Sequence, residues 1–180
     1  MNKTRPARRR GQIVISDLII SMAVFLMLLV IAYEAWNRQV ERLGEWRDSA
    51  NAQDALRRGL DALTRSPGHP YDWAVLNQTP NESGILALGA ASSPGRLDAL
   101  KTGAIAQWLS SASQYNATRS KMGVLPYRAQ ASVRELNGTQ IYSMGEAPGA
   151  GASVMASGQR LAVYEGRAVL VRLSLWRNET

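Results

Sequence analysis

The residues equipped for chemistry are few, and the most suggestive lie near one end of the chain. Arg8-Arg9-Arg10-Gly11-Gln12 stands directly before an apolar run, and Asp17 stands inside that run. Glycine between a basic stretch and an apolar one leaves the backbone flexible and uncrowded, which suits entry into a protease site. A carboxylate within an apolar helix is costly, about 3 kcal/mol at a bilayer centre. Asp17 therefore needs either a charge partner or a place close enough to the interface to reach water. The rest of the chain offers little to a catalyst. It has no cysteine and one histidine, which excludes disulfide frameworks, thiol catalysis, iron–sulfur sites and a two-histidine metal site. His69 sits in a proline–glycine turn with Asp72 and no nearby nucleophile, and reads as a turn residue rather than a base. Gly149-Ala150-Gly151 lacks the third glycine and the strand-to-helix setting of a dinucleotide loop. No enzyme activity is expected, and neither a metal nor a cofactor.

The element that positions Gly11, Gln12 and Asp17 is the run from Ile13 to Tyr33, broken only by Ser16, Asp17 and Ser21. About 20 such residues cross a membrane as a helix, and this run lacks the polar face of a soluble core helix. No small-x-small cleavage pattern follows it, so the helix is expected to stay in the mature chain. Tyr33 and Trp36 suit the outer interface, where amphipathic rings collect. The formal net charge of +7, over 180 residues, invites a nucleic-acid reading, but its distribution does not support one. Lys3, Arg5, Arg8, Arg9 and Arg10 all precede the first acid, Asp17; beyond Gly11 sixteen basic residues face fourteen acidic ones. Charge gathered before an apolar run holds that end in the cytoplasm, whereas a nucleic-acid surface carries it on a folded face. No nucleic-acid partner is expected.

The segment Arg8-Arg9-Arg10-Gly11-Gln12-Ile13-Val14-Ile15-Ser16-Asp17-Leu18 resembles the processing signal of archaeal type IV pilin-like proteins, the class III signal peptide. The resemblance implies cutting between Gly11 and Gln12 by a prepilin peptidase, with the helix retained. Asp17 becomes the sixth mature residue, whereas the bacterial pattern has glutamate fifth, so the archaeal form is the better match. It extends more loosely to Pro67-Gly68-His69-Pro70-Tyr71-Asp72-Trp73, to Ile85-Leu86-Ala87-Leu88-Gly89, to Pro94–Lys101 and to Val163–Trp176, in that order along the chain.

After Trp36 the pattern turns amphipathic. Trp36, Val40, Leu43 and Trp46, then Ala52, Leu56, Leu60 and Leu63, recur at helical steps, with arginines and acids between them. Gly44 and Gly59 weaken this helix by about 1 kcal/mol each relative to alanine. No proline occurs from Gln12 to Ser66, and Pro67, Gly68 and Pro70 end the helix. An extended, turn-rich segment over 73–88 leads to a helix over 96–113 with Leu97, Leu100, Ile105, Trp108 and Leu109 inward. Strands are predicted over 127–136, 140–145, 153–164 and 167–176, with hairpins at Asn137-Gly138 and Glu165-Gly166. Val169, Val171, Leu173 and Leu175 give the last strand one fully apolar face. The five tryptophans read as core or interface packing. The expected fold class is α+β: a long N-terminal helix carrying a small domain with a second helix and a four-stranded antiparallel sheet. Its divisions are a cleaved leader over 1–11, a transmembrane and assembly helix over 12–35, its amphipathic continuation over 36–66, and an extracellular head over 67–180.

Six of the eight asparagines begin Asn-x-Ser/Thr, where the frequency of serine and threonine predicts about one. Asn81 and Asn116 are the best candidates for sugar; Asn77 has Pro80 close by, and Asn137 has a turn role. Asn2 and Asn178 lie at the termini. Such an excess suits an exterior glycoprotein domain. The expected role is a pilin-like subunit: a single-pass precursor, its N-terminus cytoplasmic, that assembles through its N-terminal helix with other subunits into a cell-surface filament. Asp17 would then pair with the new ammonium of Gln12. The expected partners are the peptidase, pilin subunits and the membrane. Two alternatives stand beside this role, a minor pilin or adhesin with a ligand-binding ectodomain and a membrane-anchored surface protein that never polymerises.

Overall fold

The computed structural model describes residues 8–75, 79–80 and 83–178, with side chains from Asp17 onward apart from those of Glu45 and Asn178. It divides into two compact units, Met1–Arg47 and Asp48–Thr180. Helix α1 (Arg8–Thr64) supplies all the described structure of the first unit and the opening helix of the second. It stops where expected, before Pro67: Arg65 and Ser66 both donate their N–H to the Asp61 carbonyl at 2.8 Å, closing the last turn.

The second unit is α+β. After α1 come β1 (Ala91–Ser93), β2 (Arg96–Leu97), α2 (Ala99–Ser110), α3 (Tyr115–Lys121), β3 (Arg128–Glu135), β4 (Gln140–Gly145), β5 (Ala152–Tyr164) and β6 (Arg167–Asn178). The four longer strands lie where alternation places them, and they pair antiparallel. The sheet, however, has six strands in the order β1-β2-β5-β6-β3-β4 and is mixed, because β2 runs parallel to β5 at Arg96–Val163. The four-stranded antiparallel expectation is corrected here. Pro94 and Gly95 reverse the chain, with Gly95 at φ +79, and Gly95 then bridges two elements. Its N–H donates to the Thr64 carbonyl at 2.7 Å, and its own carbonyl accepts from Val163 N–H at 2.8 Å. Strands of two and three residues are too short to show alternation.

The second helix is corrected too. Arg96 and Leu97 are strand, and Asp98 caps α2 by accepting from the Lys101 N–H at 3.1 Å. That start sets the phase of the helix. Lys101, Thr102, Ile105 and Leu109 point inward, and Leu100, expected inside, is 69% exposed. Lys101 is accommodated because its Nζ donates to the Pro67 carbonyl at 2.9 Å and lies 4.2 Å from the Tyr71 ring centre. Burial pushes its pKa down. Trp73 is fully buried beside Trp108, and its indole N–H is shared between the carbonyls of Pro67 and Gly89. Trp176 is also buried, whereas Trp36 and Trp46 are exposed.

The core lies between the final turns of α1 and the sheet. Ala52, Leu56, Leu60 and Leu63 are buried as their spacing predicts, and so are Val169, Val171, Leu173 and Leu175 of β6. Gly59 and Gly158 allow the close approach. A Cβ on Gly59 would stand 2.5 Å from Leu173 and 2.6 Å from Val124, and one on Gly158 would meet Leu56 and Leu60 at 3.1 and 3.2 Å.

Candidate functional site

Within the first unit, thirteen of the sixteen residues from Leu18 to Tyr33 are large apolar side chains, each at least half exposed. The remainder are Ser21, Ala23 and Ala32. Fully burying such a side chain is worth about 1.5–3 kcal/mol. Covering all thirteen would exceed the ~5–15 kcal/mol net stability of a whole domain, so leaving this surface in water is costly. The helix is long and apolar enough to cross a membrane, with mean hydropathy of 2.4 over its most apolar window and none of that window buried. Beyond Tyr33 the stripe of Trp36, Val40, Leu43 and Trp46 is exposed as well. Glu34 and Arg38 form an i,i+4 ion pair at 3.7 Å near its start.

Gly11 and Gln12 lie on helical backbone in α1, with their side chains outside the described residues. Asp17 is exposed and makes no ion pair among the described residues. Asn77 and Asn81 also fall outside the described residues. Asn137 occupies the exposed tip of the β3–β4 hairpin. Its Oδ1 accepts from the Thr139 N–H at 2.8 Å and its Nδ2 donates to Glu135 at 2.9 Å. Asn116 is exposed on α3, its Oδ1 accepting from Arg119, while Thr118 of the same sequon is fully buried. His69 is exposed, and its backbone pairs with Ala87. No group of three or more His, Asp or Glu residues is placed to hold a metal among the described residues.

One cluster escaped the sequence reading altogether. The end of α2, the start of α3, the start of β3 and the end of β4 line an open cavity of about 400 Å³. Ser110, Ser111, Asn116, Arg119, Arg128 and Glu146 supply its polar lining. The Tyr115 hydroxyl braces one wall, accepting from the Ala129 N–H at 2.9 Å and donating to the Ala129 carbonyl at 3.2 Å. Arg128 pairs with Glu146, whose own carbonyl accepts from the Trp176 indole at 3.2 Å. Gly145 turns β4 into this wall at φ +85, its backbone so close to Ala129 that a Cβ would stand 2.3 Å from that residue's carbonyl oxygen. In sequence these groups are scattered from 109 to 146 in segments that read as ordinary solvated faces.

No protein-family model, curated protein or solved structure matches this chain.

Proposed function

We propose that the chain is a type IV pilin-like subunit of the archaeal kind, made as a membrane-anchored precursor and assembled through its N-terminal helix. The observation that carries this reading is the exposed apolar stretch of α1 from Leu18 to Tyr33, broken only by Ser21, with Arg8-Arg9-Arg10-Gly11-Gln12 a few residues before it. The basic residues hold the N-terminus in the cytoplasm. A prepilin peptidase cuts after Gly11 and releases the ammonium of Gln12. The mature helix leaves lipid and packs against the same helix of other subunits, so its apolar surface stays covered throughout. Asp17 neutralises the Gln12 ammonium of a neighbour, because an unpaired ion in that apolar setting is costly and a paired one is tolerable. The C-terminal domain then lies outside the cell, where its sequons can be modified. Its role is structural rather than enzymatic.

The test is the N-terminal sequence of the mature protein, extracted from membranes of an archaeal host that has a prepilin peptidase. A start at Gln12 is expected. A start at Met1, or beyond Tyr33, overturns the reading.

A further inference from the structure

We propose that the cavity between α2, α3, β3 and β4 binds a carboxylate-bearing monosaccharide unit, of the uronic acid class. This site belongs to the C-terminal domain alone and does not depend on how the N-terminal helix is used.

Arg119 is the decisive residue. It lines the cavity and is 8% exposed, yet it forms no ion pair among the described residues. Its partners are neutral: the Tyr127 carbonyl and the Asn116 side-chain oxygen, with the Tyr115 ring 4.5 Å from the guanidinium carbon. Its Nε is buried without any hydrogen-bond partner. Burial of a cation is costly when no counter-charge accompanies it, and buried charges are ordinarily paired. Burial also pushes the Arg119 pKa down, Tyr115 opposes that shift, and Arg128 adds to it while Glu146 partly offsets it. Arg128 does have an acid, Glu146, so the cavity as a whole holds two guanidiniums against one carboxylate. It lacks one negative charge.

The size and the neutral lining narrow the ligand. A cavity of about 400 Å³ falls at the lower end of the ~300–1,000 Å³ range of small-ligand clefts. That is more room than a lone inorganic anion needs, and enough for a single ring with its substituents. Ser110 brings a hydroxyl that donates and accepts, Ser111 one that it shares with the Ser113 hydroxyl at 3.1 Å, and Asn116 keeps its amide N–H groups for an acceptor. One surplus positive charge among several neutral hydrogen-bonding groups matches one carboxylate on a polyhydroxylated ring. Arginine presents paired N–H groups in the plane that a carboxylate accepts. The unit could be free or part of a polysaccharide, because the ring and its carboxylate are common to both.

The experiment is a calorimetric titration of the full chain in detergent, produced without glycosylation, with glucuronate, glucose, acetate and phosphate in parallel. Glucuronate is expected to bind at least tenfold more tightly than each of the others. Arg119 is buried, so its removal risks the fold; the half-exposed pair Arg128 and Glu146 gives safer variants. Arg128→Gln is expected to weaken glucuronate about tenfold, which corresponds to ~1.4 kcal/mol. Glu146→Gln removes the competing carboxylate and is expected to tighten binding several-fold, a gain that a merely structural role for Glu146 would not give. A glucuronate-oligosaccharide arm separates the two sources: binding stronger than that of the monomer points to a polymer, and equal binding to the free acid. Equal binding of acetate or phosphate overturns the saccharide, equal binding of glucose overturns the carboxylate, and no binding of glucuronate overturns the site.

Discussion

Gly44 and Gly59 lie on the same helix and carry the same intrinsic penalty, and the structure assigns them opposite responses to alanine. On propensity alone each substitution gains about 1 kcal/mol. At Gly44 nothing stands within 4 Å of the new Cβ. At Gly59 it would stand 2.5 Å from Leu173 Cδ2 and 2.6 Å from Val124 Cγ1. Neither neighbour yields easily, since both side chains are fully buried and valine is stiff about its only side-chain torsion. Overpacking of this kind costs about 1–3 kcal/mol. Gly59→Ala is therefore expected to lose up to ~2 kcal/mol net, a drop of roughly 3–10 °C in the melting temperature of a unit this size. Gly44→Ala lies outside the Asp48–Thr180 unit and should leave that transition unchanged or slightly raised. The assay is thermal unfolding of the full chain in detergent, followed by near-ultraviolet circular dichroism of the buried Trp73 and Trp176. If Gly59→Ala melted at or above the parent, the tight seam between α1 and β6 would be refuted.

Three further outcomes are expected. Asp17→Ala should still insert and still be cut after Gly11 but assemble poorly, with Asp17→Glu partly tolerated; normal filaments from Asp17→Ala, counted by electron microscopy, would show that the carboxylate merely reaches water. Glu135 is held below its ordinary pKa of 4.5 by hydrogen bonds from Arg167 and then Asn137. Its contribution is thus present above the unfolded value and lost as pH falls through the folded one, so Glu135→Gln should be less stable than the parent near neutrality and converge with it in acid; denaturant midpoints that stay apart at low pH would refute this. Native protein should carry sugar at Asn81, the better candidate because Asn116 lines the cavity beside a fully buried Thr118, and an intact mass equal to that of the bare polypeptide would count against it.

What the sequence revealed tracks the length over which a pattern repeats. The apolar run, the stripe from Ala52 to Leu63 and the alternation of β6 extend over several turns or residue pairs, so each is legible without tertiary knowledge. Over its two residues β2 shows no period, and its parallel pairing depends on a single Gly95 that receives Val163 from a distant strand. The polar heptapeptide of α3, Tyr115 to Lys121, shows no apolar period either. Leu100 lies outside rather than inside for a related reason. The composition from 96 to 113 is helical, but the phase is set by the cap at Asp98, and that phase turns Lys101 inward in place of Leu100. A buried lysine is not an outcome that hydrophobic patterning anticipates. It is settled by where the Pro67 carbonyl and the Tyr71 ring happen to lie.

The same logic separates the two functional regions. The proposed processing signal and the apolar helix are linear features: their chemistry depends on neighbours in sequence, and Gly11, Gln12 and Asp17 can be singled out by reading along the chain. The cavity is assembled from four elements, and its defining property, a buried guanidinium without an ion pair among the described residues, belongs to none of them. Seen in sequence, Arg119 is the fifth residue of a polar stretch and Arg128 opens a strand. Burial alters their meaning. A solvated arginine needs no partner because water and counter-ions screen it, whereas one enclosed by Tyr115, Asn116 and the Tyr127 carbonyl retains its field within the cavity. That field makes the sign of the Glu146→Gln effect informative. If Arg119 and Arg128 act on a bound anion, removing the nearby carboxylate must help; if the pair only braces β3 against β4, removing it can only harm.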